Sequence, residues 1–431
     1  MRSVLLKRLA EASFSRARSN SFPFALSPFR YMTQRYLQRE ETILSHGLSW
    51  ALARKGIIVK DQAFRNLESS ELKKKGATIA ESLSGLPVHV RGNVVGGTSE
   101  ISKAQFSKLL KQVTNHLSSV SNVFVHDGAI GSSSKCDAKV RVISDNPTAV
   151  LLISNILFTT PTRAISHDTC PVTVYVASSI SESVGSTIGP GASRNPGFIA
   201  VDIDRASIIL NGKAFSDTNG IKEALTAIAG PVISARGGIP LSARLLGSGD
   251  SIILLFAAED IVKSCSGQLV SADAGVILTS HDVAPFFQTG NSNPRNLCRL
   301  PAALILAYSD SSGAIPSVSR LSPGQAAYHF LAGYHNGKFI PAYNKGPSSI
   351  DPLELSKALL AKLKDNQIVP FLINTHEGKE HITGADLVKL VRSTTLSKNI
   401  SLFQPKGGDL EANFKSFLSS KFQEIPEEMS F

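Results

Sequence analysis

The stretch that most constrains the fold is Ser251–Cys265, SIILLFAAEDIVKSC. Ile252 to Ala257 is apolar at every position without alternation, the pattern of a strand buried on both faces. Glu259-Asp260-Ile261-Val262-Lys263-Ser264 follows at once. Its Lys-Ser pair stands where a phosphate-binding loop after a strand would have one. The loop chemistry is wrong for that task. A phosphate cradle needs glycines, because backbone N–H groups crowd around the anion and some positions require positive φ. Here two carboxylates and two branched aliphatics take those places, so the loop would repel the anion it should hold. The stretch reads as a nucleotide site that has lost its function.

A chain of 431 residues can bury a large core and is expected to form two domains. With 42% hydrophobic and 18% charged residues it has a globular composition. No apolar run reaches the roughly 18 residues of a membrane span; Ala149–Phe158 is interrupted by Ser154 and Asn155. Cys136, Cys170, Cys265 and Cys298 are scattered without paired spacing, which predicts free thiols in a reducing compartment. The formal charge of +11 is unevenly placed: Arg2, Lys7, Arg8, Arg16, Arg18, Arg30 and Arg35 face Glu11 alone within residues 1–35. With +6 of the +11 in residues 1–35, the remainder carries about +5, unremarkable for its size and weak grounds for a nucleic-acid partner.

Residues 1–35 are Arg- and Ser-rich, with Leu5, Leu6, Leu9 and Ala10 able to share a helical face. That profile predicts a mitochondrial transit peptide, outside the fold. Glu40–Lys60 carries Leu44, Leu48, Ala51 and Leu52 at helical spacing, and Asn66–Leu72 suggests a short second helix. Ser102 is placed to cap a helix whose stripe is Phe106, Leu109, Leu110, Val113 and Leu117. Strands are expected at Asn122–His126, Ala138–Ser144 and Val172–Ala177, and the polar Ser178–Asn195 stretch is the expected domain boundary. Beyond it, strands are expected at Phe198–Ile203, Ser207–Leu210, Ser251–Ala257, Pro301–Tyr308 and Ile368–Asn374. Helices are expected at Lys222–Ile228, from Ser322-Pro323 to Gly333, after the Asp351-Pro352-Leu353-Glu354 start, and at Thr383–Ser393. Residues 416–431 are expected as a loose acidic tail.

Several of these stretches, in order, resemble the ATP-dependent phosphoenolpyruvate carboxykinases. They are Val123-Phe124-Val125-His126-Asp127, Val140-Arg141-Val142-Ile143-Ser144, Asn155 with Pro161-Thr162, and above all Asp310-Ser311-Ser312-Gly313-Ala314-Ile315-Pro316-Ser317-Val318-Ser319-Arg320-Leu321. Gln325, Tyr328-His329-Phe330, Gly333-Tyr334 and Leu372-Ile373-Asn374-Thr375 continue the likeness, which runs from about Asn66 to Thr395. It implies an α/β fold of two domains: a mixed α/β N-terminal domain at 36–195 and a P-loop-like α/β domain at 196–415.

The resemblance fails at the residues that carry the family's chemistry. Its glycine-rich loop falls on Ala257, Asp260 and Val262, leaving only Lys263 and Ser264 of the Lys-Thr end. Its metal-binding histidine falls at Leu241 or Ser242, neither of which replaces imidazole. Its metal-binding lysine has no match in Ala214–Gly220, and Lys222 lies close but shifted. Gly97 takes the place of the substrate arginine, and Leu387 that of the adenine-side arginine. The acidic metal pair falls near Thr279–Asp282, where His281 and Asp282 are the only possible ligands. Arg295 stands where the family's phosphate-contacting arginine is expected. Elsewhere, His376-Glu377-Gly378-Lys379-Glu380-His381 is off the i, i+4 spacing of a helical metal site and reads as a polar loop.

The resemblance therefore implies a catalytically degenerate mitochondrial homologue with a structural, assembly or regulatory role. No catalytic residue, metal or cofactor is expected; Lys263, Ser264 and Arg295 are the residual nucleotide-side positions. The expected partners are proteins of the mitochondrial matrix or of a large mitochondrial complex. One alternative is a divergent active enzyme that uses ATP with Mg²⁺ or Mn²⁺ on oxaloacetate. Another is a mitochondrial RNA- or ribosome-associated protein.

Overall fold

A continuous apolar strand such as Ile252–Ala257 needs helices on both of its faces, and the computed structural model supplies them. It describes residues 47–92, 99–133, 135–160, 171–180, 196–271, 273–288, 299–344, 346–365, 367–377, 380–397, 399–405 and 408–431. The expected transit peptide at 1–35 lies outside them. From Leu48 to Phe431 the chain forms one compact unit built on two large sheets. It is a mixed α/β fold.

The first half runs through β1 (Gln62–Arg65), α1 (Ser69–Lys74), β2 (Val88–Arg91), β3 (Ser99–Glu100), α2 (Lys103–Ser119), β4 (Asn122–Ile130), β5 (Ala138–Ser144), α3 (Pro147–Ser154), β6 (Phe158–Thr159), β7 (Val172–Ala177), β8 (Gly197–Asp202) and β9 (Ser207–Gly212). These nine strands form one sheet in the order β1-β4-β5-β7-β9-β8-β2-β3, with β6 on β4. Strand alternation divides the side chains between two cores. Val123, Val125, Ile143, Tyr175 and Ile209 face Phe106, Leu109, Val113 and Leu117 of α2. Val140, Val142, Val174, Ile199 and Leu210 face the opposite way, toward α3. Helix α2 starts where its sequence says it should, since Ser102 and Gln105 form a reciprocal capping box.

The second half runs through α4 (Thr218–Ala235), β10 (Ile239–Leu241), β11 (Arg244–Ser248), β12 (Ser251–Phe256), α5 (Glu259–Cys265), β13 (Val276–Leu278), β14 (Val283–Pro285), β15 (Ala303–Tyr308), β16 (Val318–Arg320), α6 (Pro323–Ala332), β17 (Tyr334–His335), β18 (Lys338–Phe339), α7 (Pro352–Lys364), β19 (Val369–Asn374), α8 (Gly384–Leu396) and α9 (Asp409–Lys421). Five strands form the second sheet, in the order β11-β12-β15-β19-β16, with β12, β15 and β19 parallel. Leu254 and Phe256 point into a core shared with α6, α7 and α9. Ile253 and Leu255 point the other way, into a core shared with α5 and α8.

Three expectations change. The boundary at Ser178–Asn195 falls inside the nine-stranded sheet, because β8 and β9 pair with β2 and β7 and complete it. The short helix at Lys222–Ile228 extends over Thr218–Ala235: Asp217 caps it through the Gly220 N–H, and it continues past Pro231. The C-terminal stretch is not loose. Phe414 and Leu418 of α9 are buried, and so are Met429 and Phe431, which close the aromatic core over α6.

Candidate functional site

β12 ends at Phe256, and only Ala257 and Ala258 separate it from α5. Ala258 is the N-cap and offers no side-chain acceptor. The helix forms because Ile261, Val262 and Cys265 recur at helical spacing and are buried in one core with Leu387, Val388 and Val391 of α8. The Val262 N–H is spent on the Ala258 carbonyl at 3.0 Å. A backbone wound into a packed helix cannot gather its N–H groups around a phosphate as a glycine loop does.

Each side chain of this segment has a structural duty or faces water. Lys263 is exposed. The Ser264 hydroxyl donates to the Ile261 carbonyl at 2.7 Å and accepts from the Gly384 N–H at 3.1 Å, tying α5 to the start of α8. The Asp260 carboxylate lies 2.8 Å from His335 Nε2 on β17. Partial burial pushes that carboxyl up, but the histidine and the Ile261 N–H outweigh burial and hold it below the ordinary value. Cys265 is a buried thiol pushed up by desolvation, not a reactive one.

Beside this segment lies a cleft of about 120 Å³, walled by α4, the start of β11 and the 340–347 loop. At its floor is Arg244, whose side chain is only 13% exposed. Its Nη2 stands 3.6 Å from the Glu259 carboxylate. Its Nη1 makes long bonds to the Ser242 and Ala243 carbonyls, at 3.3 and 3.4 Å. Burial pushes this guanidinium below its ordinary pKa, against the pull of Glu259 and Asp273. Glu223 of α4 lines the same cleft and is raised by burial, then by Asp217 and Glu259. Lys222, one residue earlier, pairs with Asp273 at 2.8 Å. Tyr343 also lines the cleft, its ring 5.7 Å from that of Phe256.

The sequence-derived candidates are only partly brought together. Ser242 lines the cleft, whereas Leu241 is buried in β10. Lys222 meets a carboxylate, though not one the sequence suggested. His281 and Asp282 sit on the β13–β14 turn, where Thr279 Oγ bonds the Asp282 carboxylate, and neither lines the cleft. Leu387 is a core residue of α8. His376 and His381 are register partners in a small hairpin. Gly97 and Arg295 lie outside the described residues. Among the described residues, no group of three His, Cys, Asp or Glu side chains is placed to hold a metal ion. Arg244, Glu223, Asp273 and Tyr343 were not found from sequence. They stand outside any motif, and the left-handed backbone at Ala342 and Tyr343 leaves no compositional mark.

The segment with the strongest motif is a tightly bonded turn that lines a separate cavity of about 290 Å³. The Asp310 carboxylate accepts from the Ser312 N–H and hydroxyl and from the Ile315 N–H at 3.0, 2.9 and 3.1 Å. Asn374 locks the same turn to the end of β19 through its side-chain amide.

The sequence model of the phosphoenolpyruvate carboxykinase family matches residues 91–254 and 283–400, well over half of the chain. The unmatched interval, 255–282, contains α5 and Asp273. The phosphoenolpyruvate carboxykinase (ATP) of Flavobacterium johnsoniae is 26% identical over 131 residues, covering 27% of this chain and 24% of that protein. That of Leptospira biflexa is 31% identical over 104 residues, or 21% and 20% of the two chains. That of Novosphingobium aromaticivorans reaches 48%, over 44 residues. These matches span about a quarter or less of the relatives' own lengths. With the family's sequence model matched across both halves of the chain, the protein belongs to the phosphoenolpyruvate carboxykinase family.

Proposed function

We propose that this chain is a catalytically degenerate member of its family, a protein of the mitochondrial matrix whose role is structural, in assembly or in regulation. The observation that carries the reading is α5. A packed helix with Ile261 and Val262 buried stands where a phosphate cradle would have to be. The residues present do not fit the metal and nucleotide of a carboxykinase. Phosphoryl transfer needs cations held against phosphate charge, yet Asp273 is already paired with Lys222. Arg244, beside the loop, faces the Glu259 carboxylate at 3.6 Å. Each lost charge-stabilising contact costs a few kcal/mol of barrier, and here they are missing together. Acid-poor, Arg-rich residues 1–35 support the matrix location.

The test is ligand binding and turnover. A native site would gain about 2.7 kcal/mol of stability at a hundredfold excess of ligand over Kd. The expected result is no thermal shift with ATP and Mg²⁺ or Mn²⁺, no turnover of oxaloacetate, and the same null result for Lys263→Ala. A shift with ATP·Mg²⁺ that Lys263→Ala removes overturns the reading and favours the divergent enzyme.

A further inference from the structure

The nine-stranded sheet begins at β1, and β4 is the one strand that pairs with it among the described residues. The Gln62 N–H donates to the Ser121 carbonyl at 3.0 Å, and the Asn66 N–H to the Val125 carbonyl at 2.8 Å. Alternate residues serve the neighbour in a parallel ladder, so the N–H and C=O of Ala63 point away from β4, out of the sheet edge. Native edges are blunted by charges, a proline or a bulge on the strand itself. β1 carries no proline, and Gln62, Ala63 and Phe64 are uncharged. Arg65 is turned inward, its side chain 10% exposed and 2.6 Å from the Asp127 carboxylate. Phe64 is stacked on Phe124, with ring centroids 5.5 Å apart.

The charges stand around the strand rather than on it. Lys75 holds its ammonium 4.2 Å over the Phe64 ring. Lys60, two residues ahead of β1, and Lys73 and Lys74 of α1 are exposed. From Arg54 to Gly76, leaving out β1 itself, six Lys and Arg stand against three acids, Asp61, Glu68 and Glu71. The Glu71 carboxylate is already spent on the Glu68 N–H, at 2.8 Å. We infer that the open edge of β1 docks an extended acidic segment of a partner protein, which adds a strand to the sheet. Such a segment brings both the acceptor and the donor that the Ala63 backbone requires. Phosphate oxygens only accept, which favours a peptide over a nucleic acid. Its carboxylates complement Lys60, Lys73, Lys74 and Lys75, whereas a second copy of this chain brings the same positive surplus to the edge. Ile58, 66% exposed on the lead-in to β1, gives the segment an apolar contact. With four residues β1 offers few ladder bonds, so the ladder sets orientation and the lysines carry most of the affinity. The inference deepens the proposed function by giving the partner a chemistry, and it rests on that reading for the partner's existence.

The test is a titration of the full chain, read by fluorescence anisotropy, with a labelled decapeptide of alternating Glu and Thr capped at both ends. A decapeptide of alternating Lys and Thr, a fully N-methylated form of the acidic peptide, and oligouridylate are the comparison probes. Saturable binding of the acidic peptide is expected, about tenfold or more tighter than that of the basic one and weakened by added salt. Ala63→Pro removes an N–H that β4 does not use, a change edge strands tolerate, and should weaken binding about tenfold. The N-methylated peptide asks the same question of the unaltered protein and should bind about tenfold more weakly as well. Lys60→Glu and Lys75→Glu should each weaken binding severalfold. No saturation with the acidic peptide overturns the inference. So does binding that N-methylation leaves unchanged, which would be charge attraction without an added strand. Oligouridylate binding as tight as the peptide's would assign the patch to nucleic acid. Dimerisation of the chain alone that Ala63→Pro abolishes would give the edge to a second copy; either result overturns the acidic partner. ATP·Mg²⁺ is titrated in a separate arm, where binding defeats the proposed function and leaves the peptide arms to decide the edge.

Discussion

His329 in α6 is fully buried in a cage of rings that includes Tyr308, Phe403, Phe414 and Phe431. The Tyr308 hydroxyl donates to the His329 carbonyl at 2.8 Å, so its oxygen is left to accept from Nδ1–H at 3.1 Å. That puts the proton of the neutral ring on Nδ1. Burial pushes its pKa down to about 3, from the ordinary 6.5. The sign follows from linkage. Above 6.5 the ring is neutral in both states and the stability is fully present. As pH falls below 6.5 the unfolded chain takes up a proton that the folded chain refuses, and stability falls until the folded pKa near 3 is passed. The slope is about 1.4 kcal/mol per pH unit for one proton. Urea unfolding between pH 6 and pH 4 should therefore show one more proton taken up by the wild type than by His329→Gln. Equal slopes in the two proteins would mean that the ring is protonated in the folded state.

At the scale of elements, the C-terminal segment and α6 hold each other in place. A Cβ at Gly324 would land on the Glu428 carbonyl, and Met429 packs against the Ser356 hydroxyl of α7. Gly324→Ala should therefore lever residues 428–431 off the core and expose Met429 and Phe431. Each fully buried side chain of that kind is worth about 1.5–3 kcal/mol. A stability loss of about 3 kcal/mol or more, with faster digestion by carboxypeptidase, is the expected outcome; an unchanged digestion rate would show that the segment accommodates the methyl group. This docking was hidden in the sequence because Glu427 and Glu428 dominate its composition, while Met429 and Phe431, the side chains that anchor it, are too few to form a periodic pattern. Helix α2 was legible for the opposite reason: its cap and its stripe are local. α5 lies between these cases. Its lost glycines were plain, but the helix that replaced them depends on α8, more than a hundred residues away.

At the scale of the whole molecule, the resemblance reached the right fold because order and spacing survive across both sheets. It missed where the halves divide, since β8 and β9 lie beyond the polar stretch that marked the expected boundary yet complete the first sheet by long-range pairing. Of the cleft, the sequence pointed to Ser242, Ala257 and Glu259, with Lys222 beside them. Arg244 and Tyr343, about a hundred residues apart in the chain, line one cleft through tertiary packing alone. Fold and site have diverged unequally. The cores on both faces of each large sheet are closed, with capping boxes at α2 and α6, while Glu259–Cys265 is wound into a packed helix. A sheet protein of this size folds slowly through long-range pairings and is exposed to aggregation on the way. On the reading proposed above, a chain that keeps this architecture without the cradle serves through its surface. Gentle extraction of mitochondria followed by native electrophoresis should then find it comigrating with protein partners, well above the mass of a lone 431-residue chain. RNase treatment should leave that mobility unchanged. A drop after RNase would transfer the protein to a ribosomal or RNA-bound role, and migration at the size of the single chain in every extraction would remove the case for a stable assembly.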